Sequence, residues 1–187
     1  MAMLILGLLI FLGVHSVRIV APGWREQIVR TRGEGAWKGA YALAAAIGLA
    51  LIVVGYGAAR ATAFVVYTPP TGLKHVALLL MVPVFPLLLA AYLPGRIAAA
   101  TKHPMLLATK LWSLAHLLAN GNAADLLLFG GFLVWAIADR IAVKQRAAPP
   151  RRAGRPLNDA IAIAGGLVVY FAFIGGLHRW LIGVSPI

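Results

Sequence analysis

The chain has 187 residues, 61% of them hydrophobic, a formal charge of +12 and no cysteine. The missing cysteine excludes disulfides, thiolate-held iron–sulfur clusters and covalent c-type haem. With apolar runs that each approach a membrane span, the chain is too short for a second, soluble domain, and the basic residues fall in short loops between those runs, a topology signal rather than a nucleic-acid surface.

Residues 2–20 form the first apolar run. It has no basic segment ahead of it and no small-residue cleavage site after it, so it reads as a retained transmembrane helix. It carries His15 and, three residues later, Arg18. Segment 23–38, "GWREQIVRTRGEGAWK", is polar and reads as an interfacial stretch with Trp24 and Trp37 at headgroup level. Further spans are expected at 39–58, 74–93, 104–119, 124–143 and 159–182, each approaching the roughly 20 residues that cross a bilayer. Gly and Pro punctuate the joints at Pro22-Gly23, Pro69-Pro70, Pro94-Gly95, Gly121 and Pro149-Pro150. The fourth and fifth spans are joined only by "NGNAAD" and must form an antiparallel hairpin. Segment 146–158, "RAAPPRRAGRPLN", reads as a basic loop in contact with anionic lipid. A GxxxG match at Gly35–Gly39 falls at the interface and argues only weakly for helix pairing. The expected fold is all-α: one polytopic transmembrane helix bundle over residues 1–187, with about six spans.

The charges set an orientation. One group of loops holds Arg25, Arg30, Arg32 and Lys38, then Arg96 and Lys102, then Lys144, Arg146, Arg151, Arg152 and Arg155. The opposite side has only Arg60, Lys74 and Arg179. Both termini are therefore expected to face away from the cytoplasm.

Ionisable residues inside a membrane are functional candidates by default. They are His15, Arg18, Lys110 and His116, with His75, His103 and His178 near interfaces. At about 100° per residue, Met105, Trp112 and His116 share one face of the fourth span, whereas His103 and Lys110 share another. One straight helix cannot aim His103 and His116 at a single ligand, so a partner for His116 must come from another helix, and His15 is the first choice. Two neutral imidazoles suit iron, copper or zinc, and any haem would be non-covalent, b-type. Arg18, Lys110, Arg96 or Arg25 could pair with its propionates. The competing reading is plain packing, in which a histidine bonds a carbonyl and a lysine or arginine snorkels to the interface. None of the five acids lies mid-membrane, which disfavours a proton-coupled transporter. Asp125 and Asp139 read as the anchors of the fifth helix. No Walker loop, GxGxxG or HExxH is present.

Five segments carry a family resemblance: "FLGVHSVRIVAPGWR" (11–25), "AWKGAYAL" (36–43), "TPPTGLKHVALLLM" (68–81), "AYLPGRIAAATKHPMLLATKLWSLAHLLANGNAADLLLFG" (91–130) and "VWAIADRIAVKQR" (134–146). On these the chain resembles the NnrU family, which also contains the 15-cis-zeta-carotene isomerases, and it looks closer to the bacterial NnrU branch. The resemblance implies a multi-pass protein of the bacterial inner membrane. It further implies a link to nitric oxide and nitrite metabolism in denitrification, or haem-dependent cis–trans isomerisation of a carotenoid polyene. The alternative is a non-enzymatic accessory or scaffold factor for denitrification enzymes. Cofactor binding is implied at His15 (the HS motif) and His116 (the AH motif), both as haem b iron ligands, with His103 (the HP motif) as a third candidate. Nitric oxide or a hydrophobic polyene is the implied small partner. The expected topology places His15 and His116 at different depths, so a strong tilt, or His103 in place of His116, would be needed to bring two imidazoles to one iron.

Overall fold

The computed structural model describes residues 1–145 and 154–187. The basic loop expected at 146–158 lies largely outside them. The described residues are helical almost throughout: α1 Ala2–Val20, α2 Pro22–Thr62, α3 Thr71–Met81, α4 Val84–Ala90, α5 Arg96–Thr101, α6 Pro104–Ala119, α7 Ala123–Lys144, α8 Pro156–Ala172 and α9 His178–Ile182. A π-helical turn, Phe173–Leu177, joins α8 to α9. Five stretches are long and apolar enough to cross a membrane: α1, α2, α3 with α4, α7, and α8 through α9. The fold is a helical membrane bundle.

The expected fourth span is present as α6 with the expected bounds, yet it has only 16 residues. At 1.5 Å per residue it is about 24 Å long, short of the roughly 30 Å hydrocarbon core. The interfacial stretch is helical and continuous with the second span. The two parts meet at Gly33, whose φ of 84° and ψ of 158° break the helix, a conformation that glycine adopts without a Cβ clash. Trp24 and Trp37 meet edge to face with ring centres 5.8 Å apart, and the Arg25 guanidinium lies 5.9 Å from the Trp37 ring.

The first two spans pack as a close helix pair. A Cβ at Gly55 would lie 2.5 Å from the Leu4 nitrogen, and one at Gly48 would lie 2.8 Å from the Phe11 nitrogen. Small residues let two backbones approach in this way, which is how membrane helices gain dispersion contact without a hydrophobic driving force. Gly35 and Gly39 have nothing within reach of an added Cβ, so the GxxxG match takes no part in that pairing. The core of this half joins Leu4, Leu8 and Ile52 to Leu128 and Phe129 of α7.

Polar groups close the ends. Asn122 and Asp125 form a capping box at the start of α7: the Asn122 side chain accepts from the Ala124 and Asp125 amides, and the Asp125 carboxylate accepts from the Asn122 amide. The Tyr56 hydroxyl donates to the same buried carboxylate at 2.6 Å. At the opposite end, Asp159 accepts from the Arg96 and Ile97 amides at 2.8 and 3.0 Å. This caps α5 from a helix more than sixty residues away in sequence. The α6–α7 hairpin is stitched to the segment after α2 by a Val65–Asn122 bridge. There the Tyr67 hydroxyl donates to the carbonyls of Leu117 and Asn120 in the last turn of α6.

Candidate functional site: a cavity between His116 and His178

His116 projects from the last turns of α6 between Trp112, one turn back, and Phe129 of α7. Its ring stacks on Phe129 at 4.4 Å and 24° and lies 5.3 Å from Trp112. The Trp112–His116 face expected from helical angles is thus formed. The His116 Nδ1 lies 2.8 Å from the Trp112 carbonyl. A carbonyl only accepts, so Nδ1 carries a proton, and in the neutral ring Nε2 is the atom with the lone pair.

The other side of His116 is a cavity of about 230 Å³, lined among others by Lys74, Met81, Asn120, His178 and Ser185. The His178 ring faces His116 with centres 6.5 Å apart and planes 25° from parallel. Its Nδ1 is bonded to the Val184 carbonyl at 2.7 Å, which sets the same tautomer. The sequence analysis placed His178 near an interface and did not connect it to His116. Its one advance signal is "GGLHRW", a glycine pair just ahead of the histidine.

His15 belongs to a different neighbourhood. Its ring stacks on Phe11 at 4.2 Å and 28° and meets Tyr41 and Trp135 at 5.2 and 5.8 Å. Its Nδ1 is bonded to the Phe11 carbonyl at 2.6 Å. Ring contacts lead from it through Phe11, Phe132 and Trp112 to His116. On α7 the two histidines touch residues six apart, Trp135 and Phe129, which is about 9 Å along the helix. The Trp135 indole nitrogen beside His15 and the Ser113 hydroxyl on α6 are buried with no hydrogen-bond partner.

The remaining expected residues lie away from the cavity. Arg18 is exposed in the last turn of α1. Lys110 is half-buried on α6, six residues and about 9 Å from His116. His103 caps the opposite end of α6 from His116. There burial, and then the Arg140 guanidinium, hold its imidazole below the ordinary histidine range, with Asp139 opposing them. The cation that does line the cavity is Lys74. Among the described residues, no three His, Cys, Asp or Glu side chains gather into a group that could hold a metal ion.

A family model described as "NnrU protein" matches residues 3–186, nearly the whole chain. The chain belongs to the NnrU family. No curated protein and no solved structure matches it. The NnrU match takes in both histidine neighbourhoods, all of the cavity lining but Ile187, and every described helix apart from Ala2 at the start of α1.

Proposed function

We propose that this NnrU-family protein is a b-type haem protein of the bacterial inner membrane that serves nitric oxide or nitrite metabolism, with His116 as an iron ligand. The observation that carries this reading is a membrane-embedded imidazole whose Nδ1 proton is committed to a backbone carbonyl, so that Nε2 is a lone-pair donor beside a cavity. A backbone carbonyl on the far ring nitrogen is the usual support of a metal-bound histidine.

The donor chemistry fits haem better than a bare metal. Two imidazoles are too few for a four-coordinate zinc site, whereas an iron already held by a macrocycle needs only axial ligands. The enclosed volume, about 230 Å³, is below the roughly 300–1,000 Å³ of pockets that enclose a drug-sized molecule, so a macrocycle here would be only partly enclosed. Iron held there would supply one-electron redox chemistry and a coordination position for a diatomic molecule. Around it, Trp112 and Phe129 hold the His116 ring and exclude water, and Lys74 offers a cation for a carboxylate at the rim.

The test is an absorption spectrum of the purified protein, oxidised and reduced. A Soret band that His116→Ala weakens is expected. Well-folded protein that is colourless, free of iron and unable to take up haemin would overturn the reading.

A further inference from the structure

We infer that residues 183–187 form a hinged lid over the His116 cavity, latched shut by the His178 imidazole, and that this lid controls passage to and from the His116 Nε2. This deepens the function proposed above and rests on it only for the identity of the guest.

The cavity has three walls of unequal strength. α3 supplies one, through Ala77 among others, and α6 supplies another, through Ala115; both residues are buried. These two helices pack on each other, and α6 packs further on α4 and α7. The third wall is His178 with Val184, Ser185, Pro186 and Ile187. Here α9 packs mainly on the π-helical turn that precedes it, and every residue from 179 to 185 is exposed. A segment with so little buried packing is the kind that opens locally while the rest of a fold stays closed.

Two hydrogen bonds shape this third wall. The Gly183 amide donates to the Arg179 carbonyl at 2.8 Å, and the His178 Nδ1–H donates to the Val184 carbonyl at 2.7 Å. Both are made inside 178–184. Among the described residues, no hydrogen bond ties 183–187 to α3 or α6. The wall is therefore held across the cavity by its own turn and by the His178 latch, a modest hold.

The hinge is Gly183, at φ 84° and ψ 4°. A Cβ there would meet nothing nearer than the Arg60 guanidinium at 4.0 Å, so the position calls for glycine because of its backbone and not because of crowding. Glycine moves between left- and right-handed conformations without a Cβ penalty, and lids turn on a few such residues at the ends of elements. Pro186, with its fixed φ, stiffens the part that swings.

The size of the cavity gives the lid its work. At about 230 Å³ it is below the roughly 300 Å³ at which pockets for larger guests begin. A guest of that size reaches the His116 Nε2 only if a wall yields. α3 or α6 would have to break buried packing, whereas 183–187 can swing out while both helices stay in place. Its return then covers the guest.

The experiment treats the full-length protein in detergent with diethyl pyrocarbonate, which acylates unprotonated imidazoles. Peptide mass spectrometry reads the rate at His116, with the rate at His15 as internal reference. Gly183→Val strains the turn, because a β-branched residue is an outlier at this φ. His178→Phe keeps a ring but cannot donate to Val184. Each is expected to speed His116 modification at least about fivefold, the scale of one strained residue or one lost hydrogen bond, with His15 unchanged. The double variant should be no faster than the quicker single one, since both release the same latch. Haemin should enter and leave both variants faster than the wild type. Unchanged His116 rates in both variants overturn the inference, and so does a parallel rise at His15, which marks general loosening. The two proposals fail separately. A wild type that takes up no haemin removes the haem reading and leaves the modification rates to decide the lid. Haemin bound with His116 rates unchanged removes the lid alone.

Discussion

His15 and His116 are built alike and surrounded differently. Each donates from Nδ1 to the carbonyl four residues back on its own helix, and each stacks on a phenylalanine at 4.2–4.4 Å. Local helix geometry thus fixes the tautomer of both without reference to any ligand. What separates them is the third side of the ring. For His15 it meets the rings of Tyr41 and Trp135, in the half of the bundle where α1 and α2 approach through glycines. For His116 it opens on a cavity with a second imidazole beyond it. The same local device thus sits in two different settings, one among aromatic rings and one beside a cavity.

If that contrast holds, damage to the glycine-packed pair should appear in stability and damage to the cavity in ligand binding. The largest effect is expected from Gly55→Val, whose Cβ would meet the Leu4 backbone at 2.5 Å. Overpacking of about 3 kcal/mol or more should abolish a cooperative melt in detergent. Next is Tyr56→Phe, which removes a donor from the buried Asp125 carboxylate and should cost about 1–3 kcal/mol, read as a lowered melting temperature with haemin binding retained. Gly176→Ala should show the opposite pattern. A non-glycine residue at φ 145° costs about 1–3 kcal/mol locally, and the misdirected His178 should weaken haemin binding more than it lowers the melt. A larger loss of stability than of affinity in that variant would erase the distinction between the two regions.

The sequence disclosed the elements for which one-dimensional pattern is enough. Apolar runs marked the spans, "NGNAAD" forced the α6–α7 hairpin, and 100° steps put Trp112 and His116 on one face. It did not disclose what depends on two distant segments meeting. Gly48 and Gly55 make the close α1–α2 approach, yet the motif that drew attention was Gly35–Gly39. His178 is 62 residues from His116, and its direction depends on a π turn that no apolar periodicity encodes. That the interfacial segment is itself helical up to the break at Gly33 was hidden, because polar composition marks an interface but does not say whether the chain there is coiled or helical.

The smallest effect belongs to His103, at the far end of α6 from the cavity. Burial and the Arg140 guanidinium lower its pKa in the folded protein, so the unfolded chain takes up a proton more readily. Above an ordinary histidine pKa of about 6.5 both states are neutral and the residue contributes no pH dependence. As pH falls below that value, the unfolded state gains protons first and stability declines until the depressed folded value is passed. Melting temperatures between pH 7.5 and 5.5, chosen as about one unit either side of that value, should fall slightly more in the wild type than in His103→Gln. Haemin binding at neutral pH should be equal in the two.

Tyr67 has a consequence for where a helix is allowed to stop. The last turn of a helix leaves carbonyls without intrahelical partners, and in hydrocarbon such groups are costly. α6 ends at Ala119 without a left-handed glycine, and the Tyr67 hydroxyl reaches the carbonyls of Leu117 and Asn120. A hydroxyl has a single proton, so those two acceptors must take turns. One phenol on a neighbouring loop thereby supplies from outside the helix a donor that α6 lacks at its end, one turn beyond His116.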